Sequence, residues 1–203
     1  DVDLDLTVWQ TGELTRQGRS VRDRGVLPIS ELDGLRVEVR LRPALYSHLI
    51  WIDANGDLYP VFPWRPGAWG DMESLGLRPV ELISLPEQAD TAWPNSGASG
   101  METLVLLADP HPPKTDLDFR ELLAGFPQVP GSESRKLLEF DQTGTIQGDL
   151  DRSPKFSEPQ RLADHVQQTK QFIQDRLAPH FAVVRILRFA NQGPPPPAPQ
   201  PDG

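Results

Sequence analysis

The chain has 203 residues, a formal net charge of −9 and no cysteine. The length predicts one large domain, or one domain with an extension. The acidic balance argues against nucleic-acid binding, which needs a basic face to neutralise phosphates, and the lack of cysteine excludes a disulfide scaffold, a thiol nucleophile and a thiolate zinc site.

Alternation of apolar and polar residues predicts two half-buried strands near the start of the chain. In residues 2–8 every second residue is Val or Leu, and those between are Asp or Thr, which is the period of a strand with one buried face. Residues 35–41 repeat this pattern, and Pro43 is expected to end that strand. The glycine-containing residues 11–34 predict a loop that holds at most one short strand.

A hydrophobic hairpin follows. Residues 45–53 are apolar on both faces, which is typical of a central strand with packing above and below it. Asn55 and Gly56 supply the positive φ angles of a tight turn. The return strand over residues 58–62 contains Pro60, which has no amide hydrogen and therefore predicts an edge or a bulge.

The middle of the chain predicts two more strands, each between loops. Residues 80–85 form a short strand that Pro86 ends, and residues 103–108 form a buried strand, with a short helix as the alternative. The loops at 63–79 and 86–100 are rich in Pro, Gly and Trp.

The last third predicts helices and a returning strand. A short helix covers residues 116–124, and a small hairpin is expected around Thr143-Gly144. Ser157 begins a capping box ahead of a longer helix with one apolar stripe, which Pro179 ends. Residues 181–189 predict a final strand that returns to the sheet.

These elements predict an α+β fold that is mainly β. We expect a small antiparallel β-sandwich or barrel-like sheet with a C-terminal helical extension and a returning strand. Residues 1–110 are predicted to be a β-rich core domain and residues 111–192 a helical extension packed on it. Residues 193–203, in which Pro dominates, are predicted to be a disordered, polyproline-like tail.

No pattern in the sequence selects a reaction. There is no nucleophile elbow at Gly97–Gly100, no phosphate-binding loop and no metal-binding histidine pair. The spacing of Asp53, Asn55 and Asp57 matches the start of a calcium loop, but the glycine and the bidentate Glu that should follow are missing. We therefore predict no catalytic residue, no metal and no cofactor.

Tryptophans in the proline- and glycine-rich loops are the best candidates for binding. Aromatic rings on loops can stack on a peptide, a sugar or a cation. The alternative is that they plug the open end of a small β-structure. Trp9 and Trp51, on predicted strands, are expected in the core. The candidate ligand- or partner-binding residues are Trp64, Arg65, Trp69 and Trp93.

Several of these segments also carry a family resemblance: Trp51-Ile52-Asp53, the Asn55-Gly56 turn, Val61–Gly67 and Gly100–Ala108. Together they resemble a bacterial domain of unknown function found C-terminal to serine/threonine protein kinase domains in planctomycete-type bacteria. Related domains accompany caspase-like proteases. The resemblance covers roughly residues 2–110, and the remainder, with Pro179-His180-Phe181 and Arg188-Phe189-Ala190-Asn191, is similar to the extension of the kinase-linked versions.

The resemblance implies a non-catalytic accessory module that senses, docks or regulates for an attached kinase, and it supplies no catalytic or binding residues. The expected partner is a protein or peptide, with a glycan as the alternative. Two other readings stay open. One is a structural spacer, and the other is an unrecognised hydrolase that pairs Glu102 with His48 or His111.

The compartment is left open by the sequence. No apolar run reaches the roughly 18 residues of a membrane helix, so we expect no membrane insertion within this chain. The first residue is Asp1 and no signal peptide is evident, and we therefore expect a piece of a longer protein. The cytoplasm is favoured, with an extracytoplasmic location if a membrane helix precedes this segment.

Overall fold

An antiparallel sheet, curled into a half-barrel, makes up most of the computed structural model. The structure describes residues 1–10, 18–23, 25–63, 77–113, 117–128, 137–143 and 158–192, the backbone alone over 158–162. The strands are β1 Val2–Trp9, β2 Arg19–Ser20, β3 Gly34–Ile52, β4 Leu58–Phe62, β5 Val80–Leu85, β6 Trp93–Pro94, β7 Gly100–Asp109, β8 Leu138–Asp141 and β9 Val183–Asn191. The helices are α1 Phe119–Leu122 and α2 Glu158–Phe172, and α2 continues as a π-helical turn, Ile173–Leu177.

The long strand β3 organises the sheet. Neighbouring strands follow the order β2-β1-β3-β7-β9-β8, and β4, β5 and β6 also pair with β3. The first half of β3 pairs with β1, β5 and β6, and its second half pairs with β4 and β7. The predicted mainly β fold with a C-terminal helix and a returning strand is confirmed.

The prediction that Pro43 ends a strand is wrong, because β3 runs through it. Pairing with β1 stops at Leu41 and pairing with β7 starts at Tyr46. On the β5 side the register shifts between Arg40 and Leu45. Pro43 therefore lies where no ladder needs its missing amide hydrogen, which is how a sheet accommodates proline.

Two hydrophobic cores lie on opposite faces of the sheet. The inner core, inside the half-barrel, is formed by alternate residues of β1, β3, β7 and β9. The outer core lies between the other face and the helices, and includes Ile50 and Ile52 of β3. Leu45 and Leu49 of the same strand face the inner core. The prediction of a strand buried on both faces is thus confirmed, because β3 contributes residues to the inner core on one face and to the outer core on the other.

The predicted hairpin turn is formed, but Asn55 does not have the positive φ angle predicted for it. Gly56 has φ +90°, a conformation that favours glycine. Asp53 Oδ1 accepts hydrogen bonds from the backbone N–H groups of Asn55 at 2.9 Å and Asp57 at 2.8 Å. This carboxylate therefore stabilises the turn itself. β4 pairs with β3 across a register shift between Leu49 and Ile50, and Ile50 is opposite Pro60. This irregularity agrees with the edge or bulge predicted at Pro60.

The helical elements cover the outer core. Asp118 caps α1, accepting from the N–H groups of Arg120 and Glu121 at 2.8 Å and 3.3 Å. α2 and its π-helical turn bury one stripe, His165, Thr169, Ile173 and Leu177. The helix ends ahead of Pro179, as predicted. The capping residue Ser157 and Gly144 of the predicted small hairpin lie outside the described residues.

Arg22 links the two ends of the curled sheet. Its guanidinium donates to both carboxylate oxygens of Glu139 on β8, at 2.7 Å and 3.1 Å, and to the carbonyl oxygen of Leu4 on β1 at 2.6 Å. A bridge between Ile29 and Asn191 adds a second link. Within the described part of the chain, no helix is long and apolar enough to cross a bilayer.

Candidate functional site

A large cleft opens between the β3–β4 hairpin and the segment from β6 to the start of β7. Its volume is about 1030 Å³. We call it the aromatic cleft, after Trp51, Tyr59, Phe62 and Trp93, which line it. Four prolines also line it: Pro60, Pro63, Pro86 and Pro94.

The two tryptophans of the aromatic cleft pack against each other. Trp51 and Trp93 meet edge to face with ring centroids 6.5 Å apart, and Trp51 also meets Phe189 edge to face at 5.6 Å. Trp51 lies on the inner-core face of β3, near the end of that strand, so its ring is only half buried. β6 pairs with the start of β3, which places Trp93 opposite Leu35. Tyr59 is 51 % exposed.

A buried polar network forms the floor of the aromatic cleft. Glu102 is only 3 % exposed. It accepts a hydrogen bond from Trp51 Nε1 at 2.7 Å and another from Asn191 Nδ2. Asn191 Oδ1 accepts from Asn95 Nδ2 at 2.8 Å, and the same Asn95 amide donates to the Ser30 carbonyl oxygen at 2.9 Å. Side chains from β3, β7, β9 and the loop after β6, together with the backbone at Ser30, are therefore held in one arrangement.

Gly97 packs closely against this network, where a larger residue would force the Glu102 or Asn191 side chain to move. A Cβ atom at Gly97 would lie well inside van der Waals contact with Glu102 Oε1 and Asn191 Nδ2. The backbone at Gly97 therefore closes directly over the carboxylate.

The aromatic cleft is acidic. Asp53, Glu87 and Glu102 line it, and no Lys or Arg is among the described lining residues. Burial raises the pKa of Glu102, the hydrogen bonds from Asn191 and Trp51 oppose that rise, and the charge of Asp53 adds to it. The arrangement suits an apolar or aromatic ligand that can accept hydrogen bonds and carries little negative charge.

Of the predicted binding residues, the structure places Trp93 in this cleft. It lies on the short strand β6, so the prediction of a loop there is wrong. Trp64, Arg65 and Trp69 lie outside the described residues and stay predictions. Trp51 was predicted as core, and it packs against the inner core while also lining the cleft.

Sequence reasoning missed the polar floor. It treated Glu102 only as a possible catalytic acid and did not select Asn95 or Asn191. A signal was present, because Glu102 interrupts the apolar run of β7 at a position that faces the inner core. A charged residue at such a position needs buried partners, but the sequence does not say where they come from.

The catalytic pairing considered from the sequence is not formed. Glu102 faces the inner-core side of the sheet, whereas His48 lies on the outer-core side against Phe119, with ring centroids 4.6 Å apart. His111 is 85 % exposed at its side chain and pairs with Asp109 at 3.2 Å. Across the described residues there is no group of three or more potential metal ligands.

A second buried polar cluster lies in the outer core, under α2. Arg188 is 1 % exposed and donates to the Pro127 carbonyl oxygen at 2.7 Å and to Thr169 Oγ1 at 3.4 Å. It also contacts His165 Nε2, and its guanidinium lies 4.7 Å from the centroid of the Phe126 ring. Burial lowers the pKa of Arg188, and burial followed by the charge of Arg188 lowers the pKa of His165. This cluster anchors the helical layer to β9.

Comparison of the chain with protein-family models, with curated proteins and with solved structures finds no match. The resemblance to a kinase-linked domain therefore stays a prediction.

The buried His48 predicts acid sensitivity. Burial lowers the pKa of His48 to about 4, below its usual value, so the unfolded chain binds more protons between the two values. Stability should thus rise with pH through this window and fall on acidification. Acidification from pH 7 to pH 5 should therefore lower the free energy of unfolding by about 2 kcal/mol through His48 alone.

Urea denaturation at several pH values measures this contribution. His48→Leu should lose that part of the pH dependence, because the variant side chain does not titrate. Leu82→Ala, at an exposed position without a titratable group, is the control and should keep the wild-type slope. Glu102 contributes to the pH dependence of stability with the opposite sign, because its pKa is raised. This contribution is the same in the wild type and the variants, so it cancels when their slopes are compared. Equal slopes for His48→Leu and the wild type would show that His48 is not buried in its neutral form.

Proposed function

We propose that this chain is a non-catalytic accessory module of a larger bacterial signalling protein, a serine/threonine kinase, and that it docks a peptide segment of a partner in the aromatic cleft. The observation that carries the docking role is the cleft, in which partly exposed aromatic rings stand on a hydrogen-bonded floor. The attached kinase rests on the sequence resemblance.

Size and surface chemistry favour a peptide over a small molecule. Small-molecule pockets are usually about 300–1,000 Å³, and this cleft, at about 1030 Å³, is slightly larger than that range. Tyr and Trp are enriched among the residues that dominate binding energy at protein interfaces. Exposed Tyr59 and half-buried Trp93, which both line the cleft, have this character.

Fluorescence anisotropy with defined probes tests the docking role. The probes are fluorescein-labelled dodecapeptides that are proline-rich, lysine-rich, glutamate-rich or composed of Gly and Ser only, together with labelled chitohexaose as a glycan. We expect at least one peptide to bind, the glutamate-rich one least. Trp93→Ala and Tyr59→Ala should each weaken that binding at least about tenfold, which is ~1.4 kcal/mol.

Leu82→Ala is the matched control, since Leu82 is 56 % exposed on β5 and does not line the cleft. It should leave the affinity unchanged. Tyr59→Ala keeps the test informative if Trp93→Ala unfolds, because the Tyr59 side chain is already exposed. Binding of chitohexaose alone, no binding of any peptide, or an equal loss in Leu82→Ala would overturn the proposal.

A further inference from the structure

The aromatic cleft matches the chemistry of a polyproline II helix. Such a helix makes no internal hydrogen bonds, so its carbonyl groups need donors from outside. The indole N–H of Trp93 has no acceptor among the described residues, although the ring lines the cleft. Aromatic-lined grooves are a recurring docking site for proline-rich segments, because the ligand is already extended and loses little conformational entropy.

The chain contains a segment of this kind next to the cleft. β9 ends at Asn191, whose side chain bonds Glu102 and Asn95 in the cleft floor. Three residues later, Pro194 begins a segment with six prolines between positions 193 and 203. Residues 193–201 carry no charge, so the acidic lining does not repel them. At about 3.1 Å per residue, the eleven residues could span roughly 34 Å.

We infer that segment 193–203 occupies the aromatic cleft as a polyproline II helix and competes there with the partner peptide. The inference rests on the proposed docking function of the same cleft. Being tethered at Asn191, the segment needs only weak intrinsic affinity, because a short linker gives an effective concentration in the millimolar range. The competition makes docking conditional, since a partner must displace the segment.

A spin label tests the occupancy directly. The chain has no cysteine, so Asp202→Cys gives one site for a nitroxide. If the segment lies in the cleft, the label should broaden the indole N–H resonances of Trp51 and Trp93, which Trp→Phe variants assign. Backbone amides of the π-helical turn Ile173–Leu177, on the outer-core side of the sheet, should keep their intensity. Replacing Pro194, Pro195, Pro196 and Pro197 with Ala should restore the two indole signals.

A competition measurement separates this inference from the docking function. A labelled peptide with the sequence of residues 193–203 is titrated into the wild type and into the four-alanine variant. We expect the variant to bind it about tenfold more tightly, because the tethered competitor has been weakened. Unchanged indole signals, or equal broadening in the four-alanine variant, would overturn the occupancy. If the indole signals stay unchanged while the docking probes still bind through Trp93 and Tyr59, the tail inference fails and the docking function stands.

Discussion

Glu102→Ala is expected to lower the free energy of unfolding by about 2–5 kcal/mol. The carboxylate is the acceptor for two donors, the half-buried Trp51 Nε1 at 2.7 Å and the buried Asn191 Nδ2. Alanine removes the acceptor of both hydrogen bonds, and a buried group left unsatisfied costs about 1–3 kcal/mol. The loss should extend to the Asn95 amide, because Asn191 joins the two. Chemical denaturation at pH 7, followed by circular dichroism, measures the change.

Glu102→Gln separates the hydrogen bonds from the volume of the side chain. Glutamine keeps the size and one acceptor, but its NH₂ group meets the NH₂ group of Asn191. One of these two side-chain amides therefore has to rotate. We expect a loss about half that of alanine. A control at the exposed Glu87→Gln, on the rim of the same cleft, should change stability by less than about 0.5 kcal/mol. Wild-type stability in Glu102→Ala would mean that the network does not hold the cleft together.

The second large effect is expected at Arg188. Arg188→Ala removes a long, fully buried side chain under α2 and leaves a cavity, for which large-to-small changes cost about 3–5 kcal/mol. It also leaves the Pro127 carbonyl without its donor. Arg188→Met should lose less stability than Arg188→Ala, because it fills most of the volume without burying a charge, although it too leaves the Pro127 carbonyl without its donor. Among the described residues, no carboxylate forms an ion pair with Arg188.

Urea denaturation and NMR titration of His165 distinguish the two variants. The charge of Arg188 helps to lower the pKa of His165, so that pKa should rise towards its usual value in Arg188→Met. Arg40→Ala is the control, because that side chain is 65 % exposed and its ion pair contributes about 1 kcal/mol or less. An equal, large loss in Arg188→Met and Arg188→Ala would show that the guanidinium hydrogen bonds, and not packing, hold the helical layer.

Most strands could be predicted because their signal is local. Residues 2–8 alternate between apolar and polar side chains, which indicates one buried face, and residues 45–53 are apolar on both faces, which indicates two. The burial patterns of β1 and β3 agree with these predictions. The same reasoning failed at Pro43. A proline ends a strand only if a neighbour needs its amide, and at Pro43 neither flanking strand does. Whether a neighbour is present there is a property of the whole sheet.

Local periodicity and turn chemistry were thus enough to establish a mainly β chain, the hairpin turn at Asn55-Gly56 and the helix near its end, because each depends on residues adjacent in sequence. The aromatic cleft depended on assembly of the whole fold. Glu102 and Asn191 are 89 residues apart in the chain, and Asn95 and Asn191 are 96 apart. They meet because β9 returns to pair with β7, and that long-range pairing brings the buried carboxylate and its donors together beneath Trp51 and Trp93.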